Sequence, residues 1–322
     1  MSLPPPARGP RGPARVKSQD PLRENLLELF ARSFQRAEKH ERGSGFKVYR
    51  WASSMYYRLC GEQWAHTTIF PATTELAKKF VTETGLQVTN VHAFVQHALM
   101  ANSWASTWTG PILELEKDRF RLYVKGLGLE HLRAAIKAGK GVILAHSHTV
   151  FSQIAWRLFE HEGIPEGMTL WQWTWDRPRE QLEDPKIRAM EGAKEIFLAT
   201  RVLREGGIIH VLADGKRGGE KVAVNFCNRR RVFQPTFGEL ALGGKTPCAV
   251  LPVDVVLSID GQVLVEIGPP LEMGDGIADR NERVERLVLS YVSHLARRWS
   301  SHAGNLPWGQ MMRHLDSPPP VP

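Results

Sequence analysis

The stretch Gly141-Val-Ile-Leu-Ala-His-Ser-His148 decides the fold of this chain, together with a second stretch, Ile208-Ile-His-Val-Leu-Ala-Asp214. Each is a short apolar run that predicts a buried β-strand, and each ends on a residue that can exchange protons. Because α/β folds place functional groups at strand ends, His148 and Asp214 are candidates for one site; the alternative for Asp214 is an aspartate that caps a helix or forms a turn. A histidine and a carboxylate are the minimum parts of a general base with a charge partner.

Hydrophobic periodicity outward from these strands predicts helices first, and then strands that alternate with helices. The predicted helices cover 21–42, 46–60, 74–84, 89–108, 127–138, 150–162, 186–205, 235–242 and 280–300. The predicted strands cover 141–145, 168–175, 207–213, 221–226, 248–256 and 262–267, with two more short strands over 113–125 and a hairpin through Asp260-Gly261. This order predicts an α/β fold with a mixed, mostly parallel central sheet, flanking helices and an N-terminal helical cap.

Composition divides the chain into four predicted parts. Residues 1–19 are expected to be a disordered basic tail, since repeated proline and glycine cannot build a core. A helical cap over 20–110 and an α/β core over 111–302 follow. The predicted C-terminal extension, 303–322, ends in six proline-rich residues that are also expected to be disordered.

Charge and cysteine content narrow the classes of partner and compartment. The formal net charge is +8, half of it contributed by arginine and lysine residues before Asp20. A basic surface suits an anionic membrane or a phosphorylated cosubstrate. Nucleic acid is not expected as a partner, because aromatic and basic residues do not interleave as in a stacking platform. Three scattered cysteines indicate a reducing compartment, without a disulfide framework or a zinc site.

The sequence also predicts how the protein stands toward membranes. No apolar run approaches the ~20 residues that span a bilayer, so no transmembrane helix is expected. The N-terminal residues lack the apolar segment of a secretory signal. The two amphipathic helices predicted over 21–42 and 46–60 either pack against the core or lie on a lipid surface.

His146 is a second candidate for proton chemistry. It lies two residues before His148, so on continued strand geometry both imidazoles would face the same side. A pair of histidines could bind a metal, but no third ligand stands at a familiar spacing, and no metal is expected.

Two groups of side chains leave alternatives open. A basic cluster is either a solvated face or a binding site for phosphates, and it comprises Lys216, Arg217, Arg229, Arg230 and Arg231. Three tryptophans two residues apart share one face of an extended segment, where they are either core residues or the lining of an acyl or lipid pocket: Trp171, Trp173 and Trp175.

The run from Gly128 to His148 resembles the signature of the lipid A biosynthesis (lauroyl/myristoyl) acyltransferases. This family belongs to the lysophospholipid acyltransferase superfamily, and the chain looks closer to its phosphatidylinositol mannoside acyltransferase branch. The family pattern reads G-x-E-x-L…A-x-x-x-G-K-G-V-I-L, then a small residue, then the catalytic histidine. Four later segments resemble further family motifs in the same order: 203–214, 222–226, 236–242 and 247–252.

The resemblance implies a glycerol-3-phosphate acyltransferase-like fold and O-acyl transfer without an acyl-enzyme. The donor would be acyl-CoA or acyl-carrier protein as a cosubstrate, with no permanently bound cofactor, and the acceptor a hydroxyl of a lipid or glycolipid. His148 takes the place of the catalytic histidine and Asp214 that of its carboxylate partner. Main-chain N–H groups at a helix start after Thr149 would stabilise the oxyanion. The protein would work peripherally on the cytoplasmic face of the cell membrane.

Two departures from the family pattern leave other functions open. The family has an acid five residues after the histidine, where this chain has Gln153, which can orient an imidazole but cannot stabilise its charge. Asn225-Phe-Cys227 replaces the usual Phe-Phe-Gly turn. The alternatives are a hydrolase on the same fold, with water as acceptor, and a lipid-binding relative without catalysis.

Overall fold

The computed structural model describes residues 71–88, 90–171, 187–189, 193–214, 222–233, 236–243, 248–258 and 261–320. Its helices are α1 (Pro71–Thr84), α2 (Val91–Leu113), α3 (Lys117–Tyr123), α4 (Leu129–Lys137), α5 (Ile154–His161), α6 (Ala193–Arg204), α7 (Thr236–Ala241), α8 (Arg280–His302) and α9 (Trp308–Leu315), with a 3₁₀ turn at Ala303–Asn305. Its strands are β1 (Val124–Leu127), β2 (Val142–His146), β3 (Met168–Trp171), β4 (Ile187–Ala189), β5 (Ile208–Leu212), β6 (Val222–Phe226), β7 (Arg229–Phe233), β8 (Ala249–Leu257) and β9 (Val263–Ile267). The predicted tail 1–19 and the helices predicted over 21–42 and 46–60 lie outside the described residues.

The main sheet has the strand order β1-β9-β8-β2-β5-β3-β4. Adjacent strands of this sheet run parallel, except that β8 and β9 form the predicted antiparallel pair. Strands β6 and β7 form a separate antiparallel hairpin. The predicted fold class, a mixed and mostly parallel sheet with flanking helices, is confirmed.

Strand β2 lies at the centre of this sheet because its sequence can be buried on both faces. Its residues alternate between two hydrophobic cores. Ile143 packs in the core that contains Leu287 of α8, and Leu144 packs in the core that contains Ile154 of α5. Burial on both sides fixes the strand and therefore the position of the residues that follow it.

Two glycines of the signature allow close approaches of the main chain. Gly128 has a φ of +73°, and a Cβ atom there would collide with the carbonyl of Ile267. A Cβ atom at Gly141, directly before β2, would collide with the carbonyl of Leu203 at the end of α6. These contacts set how α4 and α6 lie against the sheet.

The prediction of two strands over 113–125 is wrong, since the segment forms helix α3 and then β1. Phe120 and Tyr123 are both buried three residues apart, which is the spacing of one helix face. Charged residues alternate with apolar ones over Leu113–Glu116 and again over Phe120–Leu122, and this alternation imitates the pattern of a strand. The helix predicted over 186–205 is also divided, because residues 187–189 form β4 and α6 begins at Ala193.

The C-terminal residues complete the larger core. Leu306 and Met311 are buried together with Phe80 of α1. The carbonyl of Pro318 accepts a 2.8 Å hydrogen bond from the main-chain N–H of Arg230, so the predicted disorder is wrong at this residue. Among the helices of the described ranges, none has the length and apolarity that crossing a bilayer requires.

Candidate active site

The sheet brings the two signature stretches together. Strands β2 and β5 are parallel neighbours, with Val142 opposite Ile208 and His146 opposite Leu212. Their carboxyl ends therefore lie at the same edge, where the chain of each strand turns away. The main-chain N–H of Ala213 also donates to the carbonyl of His146 at 2.9 Å, which continues the pairing beyond the strand.

His148 and Asp214 form a buried pair at this edge. Nδ1 of His148 donates a hydrogen bond to Oδ1 of Asp214, and the main-chain N–H of His148 donates to Oδ2 at 3.1 Å. The carboxylate is 2% exposed and the imidazole 15% exposed. Because Asp214 accepts at Nδ1, the neutral ring carries its proton there and presents Nε2 as the basic nitrogen.

Asp214 is held as a carboxylate although it is buried. Burial raises its pKa, but the contacts with His148 and the charge of Arg231 outweigh this effect and lower the pKa to about 2. The ionised form therefore persists at any physiological pH. A permanent charge at this position is what stabilises an imidazolium when the ring takes up a proton.

Arg231 contacts the main chain of Asp214 and lies close enough for its charge to stabilise the carboxylate. Its Nη2 donates to the main-chain carbonyl of Asp214 at 3.2 Å, and its guanidinium lies over the rings of Phe226, Phe233 and Trp299 at 5.7, 5.0 and 5.5 Å. Burial lowers the pKa of Arg231, and the charge of Asp214 raises it. The arginine is 7% exposed. A buried cation of this kind requires a nearby anion, and Asp214 provides it.

The predicted basic cluster is therefore not one continuous surface. Strand β7 alternates, so Arg229 and Arg231 point inward and Arg230 is exposed. Arg229 forms an ion pair with Glu83 of α1 and donates to the carbonyl of Ser317. Neither inward-facing arginine lies on a solvated face, and phosphate binding by the cluster stays a prediction. Residues 216 and 217 of the cluster lie outside the described residues.

The hairpin that carries these arginines also contains the turn at which the sequence departs from the family motif. Cys227 and Asn228 both have positive φ values, 46° and 55°. Two such residues form the turn that joins strands β6 and β7 with their natural twist. Asn228 tolerates this backbone conformation, whereas Cys227, which stands where the family pattern has glycine, is of a residue type that rarely adopts it.

His146 does not join the pair, and the expectation that it faces the same side as His148 is wrong. Its Nε2 makes a 3.0 Å hydrogen bond to Nδ1 of His210 on β5, and its ring stacks on Trp156 of α5 at 5.6 Å. Burial lowers the pKa of His146 to about 4. Strand geometry ends at His146, so the period of two does not extend to His148.

The other predicted site residues stand as follows. Gln153 occupies the N-cap position of α5, and its side chain does not cap the helix. Its action on the imidazole stays a prediction. The helix begins at Ile154 rather than after Thr149, and the main-chain N–H of Val150 already donates to the carbonyl of Asn305 at 3.1 Å. One of the N–H groups expected to stabilise the oxyanion, that of Val150, is therefore occupied.

The role of the three tryptophans as an acyl or lipid pocket stays a prediction. Trp171 ends β3, while residues 173 and 175 lie outside the described ranges. Within the part of the chain that the structure describes, no group of three or more histidine, cysteine, aspartate or glutamate residues is arranged to bind a metal ion.

The comparison that decides the family concerns most of the chain. A family profile described as "Bacterial lipid A biosynthesis acyltransferase" matches residues 69–293. The chain belongs to this family. This acyltransferase is thus an enzyme of lipid biosynthesis that uses an acyl donor and a lipid acceptor.

Other comparisons add little. The crystal structure of the 1-acyl-sn-glycerophosphate acyltransferase PlsC from Thermotoga maritima is similar, with 15% sequence identity and a TM-score of 0.36 over 80% of this chain and 99% of that one. No curated protein sequence matches the chain.

Sequence reasoning missed two parts of the acyltransferase's site. The first is Arg231, which the sequence presents as one of three adjacent arginines, and the aromatic rings that bury it are brought together only by the fold. The second is Asp254, for which the sequence does hold a signal, because an acid inside the apolar run of β8 is costly unless it has partners.

Proposed function

We propose that this acyltransferase moves an acyl chain from an acyl thioester to a hydroxyl of a lipid or glycolipid, with His148 as general base. The observation that carries the proposal is the pair formed by His148 and Asp214 at the end of β2. Both acceptor oxygens of Asp214 are committed to His148, so the ring is fixed with Nδ1 inward and Nε2 as the base.

The chemistry follows from this orientation. Nε2 of His148 takes the proton of the acceptor hydroxyl while the hydroxyl oxygen attacks the carbonyl carbon of the thioester. The carbon–sulfur bond then breaks, and the thiolate leaves with the proton carried by the imidazolium. Asp214 stays ionised throughout and stabilises the imidazolium. The products are an ester and a free thiol, and no acyl-enzyme forms.

Donor and acceptor are part of the proposal. Acyl-CoA and acyl-carrier protein both present a phosphopantetheine thioester, and we propose one of them as cosubstrate. The acceptor is proposed to be a glycolipid, on the resemblance to the phosphatidylinositol mannoside acyltransferases. A formal charge of +8 supports work at the anionic, cytoplasmic surface of the cell membrane, where basic residues are attracted to lipid headgroups.

The test uses purified full-length protein with radiolabelled palmitoyl-CoA or palmitoyl-carrier protein. Each donor is offered with phosphatidylinositol mannoside, a lipid A precursor or lysophosphatidic acid in anionic vesicles. We expect a labelled ester product with at least one acceptor and a rate about 10²–10⁴-fold lower with His148→Ala. His131→Ala on α4 is the matched control and should keep wild-type activity.

Other outcomes would contradict the proposal. Release of free fatty acid that does not depend on any acceptor would indicate a hydrolase. Lipid that co-purifies with the protein, without turnover of any donor, would indicate a binding protein. Equal sedimentation with neutral and anionic vesicles would contradict the proposed attraction to an anionic surface.

A further inference from the structure

A second buried polar network lies one residue before the base. Oγ of Ser147 donates a 2.5 Å hydrogen bond to Oδ1 of Asp254 on β8. The other oxygen, Oδ2, pairs with Nε2 of His294 at 2.6 Å and lies 3.3 Å from Nε of Arg298, both on α8. Arg298 in turn forms an ion pair with Glu266 of β9. Ser147 and Asp254 are 4% and 3% exposed.

The hydrogen bonds of Asp254 and those of Asp214 hold the same turn, residues 146–148, to the strands on either side of β2. Strand β2 lies between β8 and β5 in the sheet. On the β8 side, Ser147 is fixed twice, by its side chain to Asp254 and by its main-chain N–H to the carbonyl of Val253 at 3.2 Å. On the β5 side, His148 is fixed twice by Asp214. Consecutive residues are therefore fastened to two different strands.

Ser147 is not placed to act as a nucleophile. In a nucleophilic triad the imidazole lies between the serine and the carboxylate, and it receives the serine proton. Here the carboxylate of Asp254 lies between Ser147 and His294. Burial raises the pKa of Asp254, but His294 and Arg298 outweigh it and lower the pKa below its usual value. Such a carboxylate is a weak base, so the serine hydroxyl keeps its proton and serves as a donor.

We propose that Ser147 and Asp254 are positioning residues, which hold the turn 146–148 so that the imidazole of His148 meets Asp214. The proposal rests on the proposed function, because the rate it affects is that of acyl transfer. Neither side chain touches the reacting atoms. Their effect passes through the main chain of Ser147 to the next residue.

The fixed turn matters because catalytic geometry tolerates little displacement. A misplacement of about 1 Å lowers a rate on the order of 10²-fold. Without the bond to Asp254, the Ser147 side keeps only its main-chain bond to Val253, and the imidazole gains freedom relative to Asp214. The bound substrate is not contacted by Ser147, so we expect kcat to fall by about 10- to 10²-fold while KM stays near the wild-type value.

The experiment compares wild-type protein with Ser147→Ala, and uses Ser300→Ala as the matched control. Ser300 is exposed on α8 and donates to the carbonyl of Ala296, so its loss affects a hydrogen bond but not the turn. The first readout is kcat and KM for acyl transfer. The second is the proton NMR signal of the Nδ1–H of His148, whose chemical shift depends on its hydrogen bond to Asp214. This signal reports the pair directly and needs no substrate.

The proposal predicts a lower kcat, an unchanged KM and a displaced Nδ1–H signal in Ser147→Ala only. A kcat equal to that of Ser300→Ala would overturn it, and so would an unchanged signal. If Ser147→Ala does not fold, Ser147→Cys keeps a weak donor at the same position and is judged by the same two readouts. If the wild-type protein transfers no acyl group, the proposed function fails, while the NMR signal still decides whether Ser147 positions His148.

Discussion

Replacing Asp214 with asparagine should invert the protonation pattern of His148. Asp214 accepts from the main-chain N–H of His148 with Oδ2 and meets Nδ1 with Oδ1. Asparagine has one oxygen and one NH₂ group. Because a main-chain N–H can only donate, the oxygen must face it, and the NH₂ group must then face Nδ1. The ring accepts at Nδ1 and carries its proton on Nε2, the nitrogen that has to act as base.

The loss should match the whole contribution of the base. General-base assistance contributes about 10²–10⁴-fold, so we expect kcat to fall within that range in Asp214→Asn. The side chain keeps its size, and both hydrogen bonds to His148 can still form. The loss should therefore appear in kcat rather than in the amount of folded protein.

The assay is the initial rate of ester formation at saturating donor and acceptor, with circular dichroism as a check of folding. Asp279→Asn is the matched control, because Asp279 caps α8 through a 2.8 Å bond from the main-chain N–H of Glu282 and asparagine caps equally well. Equal rates in the two variants would refute the reasoning, since the tautomer of His148 would then have no influence on catalysis.

Three further predictions concern stability and the departure from the family motif. The pKa of Asp214 is depressed from 3.8 to about 2, so it stabilises the fold above pH ~4 and the contribution is lost as the pH falls through 2. This contribution to the free energy of unfolding amounts to about 2 kcal/mol. Urea unfolding at several pH values should show its loss in the wild-type protein and not in Asp214→Asn. Identical pH profiles of the two proteins would contradict the prediction. Gly141→Ala should lower the free energy of unfolding by about 1–3 kcal/mol, because the new Cβ meets the carbonyl of Leu203; an unchanged urea midpoint would contradict it. Gln153→Glu should leave kcat close to wild type, since Asp214 already holds Nδ1; a large gain in kcat would show that the missing acid limits the rate.

The strands that carry the pair were predictable because their physics is local. Short, mostly apolar runs, such as Val142–His146 and Ile208–Leu212, favour strands buried on both faces. The residue after each run must then lie at the sheet edge. For the same reason the meeting of His148 and Asp214 follows from two positions in the sequence and from the parallel order of the strands.

The failures occurred where tertiary partners decide the outcome. His146 has the same residue type and nearly the same position as His148, but His210 and Trp156 bury it. Arg231 appears in the sequence as one of three adjacent arginines, and only the hairpin and its three aromatic rings make it a buried residue. A single sequence does not show which residues will surround and stabilise a buried charge.

The network around Asp254 also depends on partners that are distant along the chain. The carboxylate interrupts an apolar run in β8, which is visible in the sequence, but its partners come from residues 147, 294 and 298. Separations of this length along the chain cannot be read from local periodicity. An isolated acid in a buried strand is nevertheless a usable sign that such partners exist.

The most direct measurement of the central claim is chemical rescue at His148. His148→Gly removes the imidazole and leaves space at a position whose side chain is partly exposed in the native protein. We predict that acyl transfer falls by about 10²–10⁴-fold and that added imidazole restores part of it, in proportion to its concentration. Full activity of His148→Gly without imidazole would contradict the claim that His148 is the base.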